Sequence, residues 1–179
     1  MFPRLFAAVA LLLFARCSGE QETALGNDHD HDHAHSLHDG VVAKLNDPDG
    51  KAVGYVELKL HDDKGDLECW LAKDEDIRQA MALPLDQIIH VRFPVLDKSV
   101  TLAVRNADQN EDEDGEGNVT DGKTHYFIYP TKEEQDASWL MGEDFSSNCT
   151  VQFELGGKSY TSEEFTLVPH GAHDHEHDH

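Results

Sequence analysis

The chain has 179 residues, 36 of them acidic against 14 basic, for a formal charge of −22, and 39% of its residues are hydrophobic. That length suits one domain with flanking segments. The field of such a chain repels nucleic acid and anionic lipid headgroups and attracts cations, so nucleic acid is not an expected partner and metal ions are.

Met1 to Arg4 carries one positive charge, and Leu5 to Phe14 is an unbroken apolar run. About ten apolar residues fall short of the roughly 20 that span a bilayer. A basic start, an apolar middle and an early end predict a secretory signal peptide over residues 1–16, and hence a periplasmic or cell-envelope address. The junction Phe14-Ala15-Arg16-Cys17 resembles a bacterial lipobox, which makes Cys17 the expected lipidation site and a lipid chain the one expected route to a membrane. Arg16 stands where a small residue is usual, and ordinary cleavage after Gly19 or Gly26 is the alternative.

Residues 17–39 are polar, lack apolar periodicity and contain His29, His31, His33, His35 and His38. Residues 170–179 repeat the pattern, with His173, His175, His177 and His179 alternating with other small or acidic residues. Both segments have too little apolar surface to offset their ordering entropy, so they are expected to be disordered without metal.

The apolar residues concentrate in 40–169. Tyr55 to His61, Glu68 to Ala72 and Ser99 to Arg105 alternate apolar and polar positions, the mark of half-buried strands. Ile88 to Phe93, His125 to Tyr129, Cys149 to Leu155 and Tyr160 to Leu167 supply further strands. Turn chemistry separates them at Asn46 to Gly50, at Asp62 to Gly65 and at Gly156-Gly157, and the second of these predicts a tight hairpin. Asp74 to Ala82 and Lys132 to Met141 read as short helices. Seven or eight short strands predict an all-β domain: an immunoglobulin-like antiparallel β-sandwich, with a small open β-barrel as the alternative.

Cys69 and Cys149 have apolar neighbours at two-residue steps, so both thiols should point inward. In an oxidising compartment an even pair is a possible disulfide. It would close a loop of about 80 residues and add roughly 4 kcal/mol by chain entropy. Two separate buried thiols are the alternative.

Ten of the 13 histidines lie in the two tail regions when His170 is counted, and this clustering is the strongest chemical signal in the chain. Neutral imidazoles bind zinc, copper(II) and nickel, and interleaved aspartates add oxygen ligands. His29, His31, His33, His35, His38, His173, His175, His177 and His179 are therefore the expected metal ligands, with flexible geometry and variable stoichiometry. A solvating or pH-responsive tail is the alternative.

A weaker calcium candidate lies in the acidic segment from Asp108 to Gly122, where Asn110, Asp112, Asp114 and Asp121 loosely follow calcium-loop spacing. Its first ligand is Asn, a glycine replaces the apolar anchor and its twelfth position is Asp. The remaining histidines, His61, His90 and His125, fall in strands, and His61 stands beside Asp62 and Asp63. No Gly-rich phosphate loop, nucleophile elbow, His-Glu-x-x-His or Cys-x-x-Cys occurs, so an enzyme is not expected.

Gly40 to Leu45, Gly54 to Glu68, Pro84-Leu85-Asp86, Asp136 to Gly142 and Gly157 to Tyr160 resemble a group of small bacterial envelope lipoproteins with His/Asp-rich tails. Similar segments accompany periplasmic adaptors of metal-efflux systems. The resemblance implies metal homeostasis at the cell envelope, an efflux or transport protein as partner, and no catalytic residue. The expected function is binding or buffering of divalent transition metal through the tails. A non-catalytic interaction module with solubilising tails is the alternative.

Overall fold

The computed structural model describes residues 36–170. The expected leader, Cys17, and the tail histidines His29, His31, His33, His35, His173, His175, His177 and His179 lie outside the described residues.

The chain is all-β and antiparallel. It forms β1 (Val41–Asn46), β2 (Ala52–Leu60), β3 (Leu67–Ala72), β4 (Leu83–Pro84), β5 (Ile89–Phe93), β6 (Lys98–Leu102), β7 (Val119–Thr120), β8 (Lys123–Thr124), β9 (Tyr126–Tyr129), β10 (Ser147–Leu155), β11 (Lys158–Ser162) and β12 (Phe165–Leu167). Eight of these follow one another around a single sheet in the order β6-β5-β10-β11-β1-β2-β3-β9, with β12 paired to the start of β10. Ala103 and Ile128 exchange both backbone hydrogen bonds, at 3.1 and 3.0 Å, which joins the β6 side of the sheet to β9 and brings it nearly to closure. Of the two architectures open to the sequence, the molecule takes the barrel: one sheet curls on itself instead of two sheets stacking.

Turn residues set the registers. The β2–β3 hairpin closes with Gly65 at φ +71 and its N–H on the His61 carbonyl, 2.7 Å away. A Cβ at Gly65 would collide with the Ala137 carbonyl, so the position needs glycine on both counts. Inward residues follow the two-residue period: Val56, Leu58 and Leu60 on β2, Leu67, Cys69 and Leu71 on β3, Ile89, Val91 and Phe93 on β5, and Cys149, Val151 and Phe153 on β10. Each buried side chain of this size contributes about 1.5–3 kcal/mol.

Three expectations are corrected. Neither predicted helix forms. In the first segment the Asp74 carboxylate takes the Gln79 N–H at 2.7 Å, and Ile77 turns to φ +58 to bury its side chain. In the second, Gln135 Oε1 accepts the Thr131 and Lys132 N–H groups and Asp136 accepts from Ser138, leaving one 3-10 turn at Ser138–Leu140. Side chains that satisfy backbone donors locally compete with helix formation, and segments this short have little propensity to resist. The expected strand from Tyr160 to Leu167 is interrupted after Ser162, whose hydroxyl accepts the Val151 N–H at 2.9 Å.

The disulfide is the third correction. Cys69 and Cys149 are fully buried free thiols. Both point inward as the alternation requires, from strands four places apart in the order of eight. Burial pushes the Cys149 thiol up to about 12, helped by the charge of Glu164. It raises Cys69 further, with added repulsion from Glu57 and Cys149.

Candidate functional site

The outward face of β2, β3 and β9 should be wet, and it is not. Three charged residues on it are nearly as buried as the core, with exposures of 0% for Glu57, 6% for Lys59 and 2% for Glu68. Glu57 lies opposite Trp70 across the β2–β3 pair, and Lys59 opposite Glu68. Trp70 packs with Tyr126, Ile128, Ala72 and Ile77 into a second, outer apolar cluster. Burying charge is costly unless each group is paired, so the covering segments must supply partners.

The first cover is the chain entering the barrel. Glu57 accepts the N–H groups of His38 and Gly40, both at 2.9 Å, and of Leu37 at 3.3 Å, while His38 Nδ1 lies 2.8 Å from its other side. Burial alone would raise the Glu57 carboxyl, but the His38 ring and the backbone donors of Gly40 and His38 hold it below the ordinary carboxylate range. The His38 ring stacks on Trp70 with centroids 4.0 Å apart and planes 5° from parallel. The last residues of the expected disordered tether are therefore docked on the barrel. His38 is a strap residue with Nδ1 committed to Glu57.

The second cover is the acidic segment, which forms a folded loop in place of a calcium site. Asn110 is fully buried; its amide donates to Thr124 Oγ1 at 3.0 Å and to the Tyr126 carbonyl at 2.8 Å, and its oxygen accepts the Arg105 N–H at 3.3 Å. Asp112 closes the loop by accepting from the Glu116 N–H at 2.9 Å and the Asn118 amide at 3.0 Å. Asp121, at φ +50, makes the β7–β8 turn with Gly122. Asn110, Asp112 and Asp121 are thus spent on structure, and with Asp114 exposed at the loop tip the four do not converge as ligands. The spacing resembled a calcium loop because turns and ligand loops use the same residue types.

What the loop delivers is Glu113. Among the described residues, His61, Glu68 and Glu113 form the one group with metal-ligand spacing, their ligand atoms all within 4.8 Å of one another. His61 Nε2 lies 2.9 Å from Glu68 Oε2 and 3.4 Å from Glu113 Oε2. Each of the three has an outer partner on its other atom. The Tyr126 hydroxyl donates to Glu68 Oε1, and the Lys59 ammonium pairs with Glu113 Oε1. His61 Nδ1 meets His170 Nε2 at 3.1 Å. Burial works to raise the Glu68 carboxyl, and hydrogen bonds from His61 and Tyr126 bring it below its ordinary value. The same contact, with burial, pushes the Tyr126 phenol upward. The centre opens on a cleft of about 240 Å³ that also touches Arg105 and Asp112.

The other two core histidines do not join it. His90 is exposed on β5, with Thr101 Oγ1 3.4 Å from its ring. His125 is half-buried and lowered by burial and by the charge of His38, against Asp112. His61 was legible as a candidate; Glu68 and Glu113 were not. The available signal was Trp70, a large aromatic on the outward phase of β3, which marks that face as covered.

Comparison of the chain with protein-family models, curated proteins and solved structures finds no match in any of the three.

Proposed function

We propose that this is an exported envelope protein that binds or buffers divalent transition metal, zinc, copper or nickel, through its two His/Asp-rich tails. The observation that carries the reading is the concentration of ten of 13 histidines in those tails. The fold supports it by its anchor points. His38, the last histidine of the first cluster, and His170, which opens the second, both dock against β2, at Glu57 and His61. Glu57 lies on β2 and His61 just past its end, four residues and about 13 Å along the chain. Both tails thus join the barrel beside the same patch of buried carboxylate. In this reading the barrel presents the tails, and an envelope efflux or transport protein is the partner that receives the metal.

The test is a zinc titration of the full chain against a version with the eight histidines outside the docked strap, His29, His31, His33, His35, His173, His175, His177 and His179, changed to Asn. Loss of most bound zinc supports tail capture. An unchanged stoichiometry rejects it.

A further inference from the structure

We infer that His61, Glu68 and Glu113 form a folded, stoichiometric site for a first-row divalent cation of the zinc type, distinct from the tail ligands His29 to His35 and His173 to His179. The first argument is the donor set. One imidazole nitrogen and two carboxylate oxygens suit zinc and its neighbours, and they leave positions for water or a further ligand.

The second argument is spacing. Ligands held about 2.1 Å from a tetrahedral ion lie about 3.4 Å from one another. His61 Nε2 and Glu113 Oε2 are already 3.4 Å apart, and His61 Nε2 and Glu68 Oε2, at 2.9 Å, need to open by only a few tenths of an ångström.

The third argument, and the strongest, is orientation from outside. A metal ligand is ordinarily fixed by a second partner that occupies its other polar atom. All three residues meet this condition. Tyr126 holds Glu68 Oε1, Lys59 holds Glu113 Oε1, and His170 faces His61 Nδ1, so that Oε2, Oε2 and Nε2 all turn to one point. With His61 Nδ1–H donating to His170 Nε2, the Nε2 lone pair is presented for coordination. His170 is itself fixed by its N–H on the Leu60 carbonyl at 3.0 Å.

Charge points the same way. Lys59 is spent on the Glu113 oxygen that faces away from the centre, while Lys64 and Arg105 also line the cleft. A dication compensates the two carboxylates that meet there.

The experiment uses the full chain with the eight histidines outside the docked strap, His29, His31, His33, His35, His173, His175, His177 and His179, changed to Asn, so that failure here leaves the tail reading standing and the reverse also holds. Calorimetry with Zn²⁺ should find one ion per chain. Adding Glu113→Gln, on a half-exposed loop position where folding is least at risk, should weaken that binding at least about tenfold. Adding Asp114→Asn, an exposed acid beside it, should leave binding within about twofold. Circular dichroism confirms that each variant is folded. No zinc bound at tens of micromolar, or equal loss in E113Q and D114N, overturns the site. The first outcome would mean that His61 only bridges the two glutamates by hydrogen bonds, and the second that general acidity attracts the ion.

Discussion

Asn110→Ala isolates the pin that holds the acidic loop over the barrel. The side chain makes three hydrogen bonds, two buried ones donated by its amide to Thr124 and the Tyr126 carbonyl and a partly buried one accepted from the Arg105 N–H. At about 0.5–1.5 kcal/mol each, their loss is worth about 3 kcal/mol, since the Arg105 donor and the Tyr126 acceptor are left without this partner. The residue also sits at φ +47, a region in which Asn is far better tolerated than Ala, which adds a further fraction of that sum. With a urea slope of about 1–3 kcal/mol per molar, the unfolding midpoint should fall by about 1–3 M. The same change should release Glu113 and abolish zinc binding at the folded site. A midpoint shift below about 0.3 M would show that the loop is not held by this amide. A loss of stability reproduced in wild type by removing calcium with a chelator would restore Asn110 as a ligand.

Gly40→Ala should free the entering strap, because its Cβ would lie 2.8 Å from Glu57 Cγ and 2.9 Å from the Leu58 carbonyl. The change in Trp70 fluorescence on loss of the His38 stack reports it, and wild-type emission would contradict the contact. Acid stability follows from Glu57, whose folded value lies below its unfolded one. The unfolded chain therefore binds more protons, and the contribution, complete above the ordinary carboxylate value, is lost as pH falls through the depressed one. Urea midpoints between about pH 6 and about pH 3 should fall less steeply in Glu57→Gln, measured relative to each protein's value at pH 6. For the thiols, native protein should resist alkylation at Cys69 and Cys149 for hours, and both should react in urea without reductant. A linked Cys69–Cys149 peptide in mass mapping would contradict the free thiols.

The inward half of this fold was legible because strand alternation depends on neighbours two residues away. Val56 to Leu60, Leu67 to Leu71 and the turns at Gly65 and Gly156-Gly157 all follow from local pattern. The outward half was not, because the burial of a charged strand position depends on what lands on it from elsewhere. Lys59 meets a glutamate 54 residues on, and His61 meets a histidine 109 residues on. Glu57, Lys59 and Glu68 look in sequence like any solvated strand face. The choice between sandwich and barrel likewise rests on a single closing bridge, Ala103–Ile128, which no pattern of apolar residues encodes. The acidic loop misled for a related reason. Its Asn and Asp residues were chosen for turns and brackets, and composition alone does not separate those from ligands.

Equilibrium dialysis of the purified protein against micromolar Zn²⁺, Cu²⁺ and Ni²⁺ at neutral pH is the most direct trial of the account. More than one ion should be retained per chain, with a single ion surviving replacement of the tail imidazoles. A protein that leaves dialysis as free of metal as its buffer would contradict it outright.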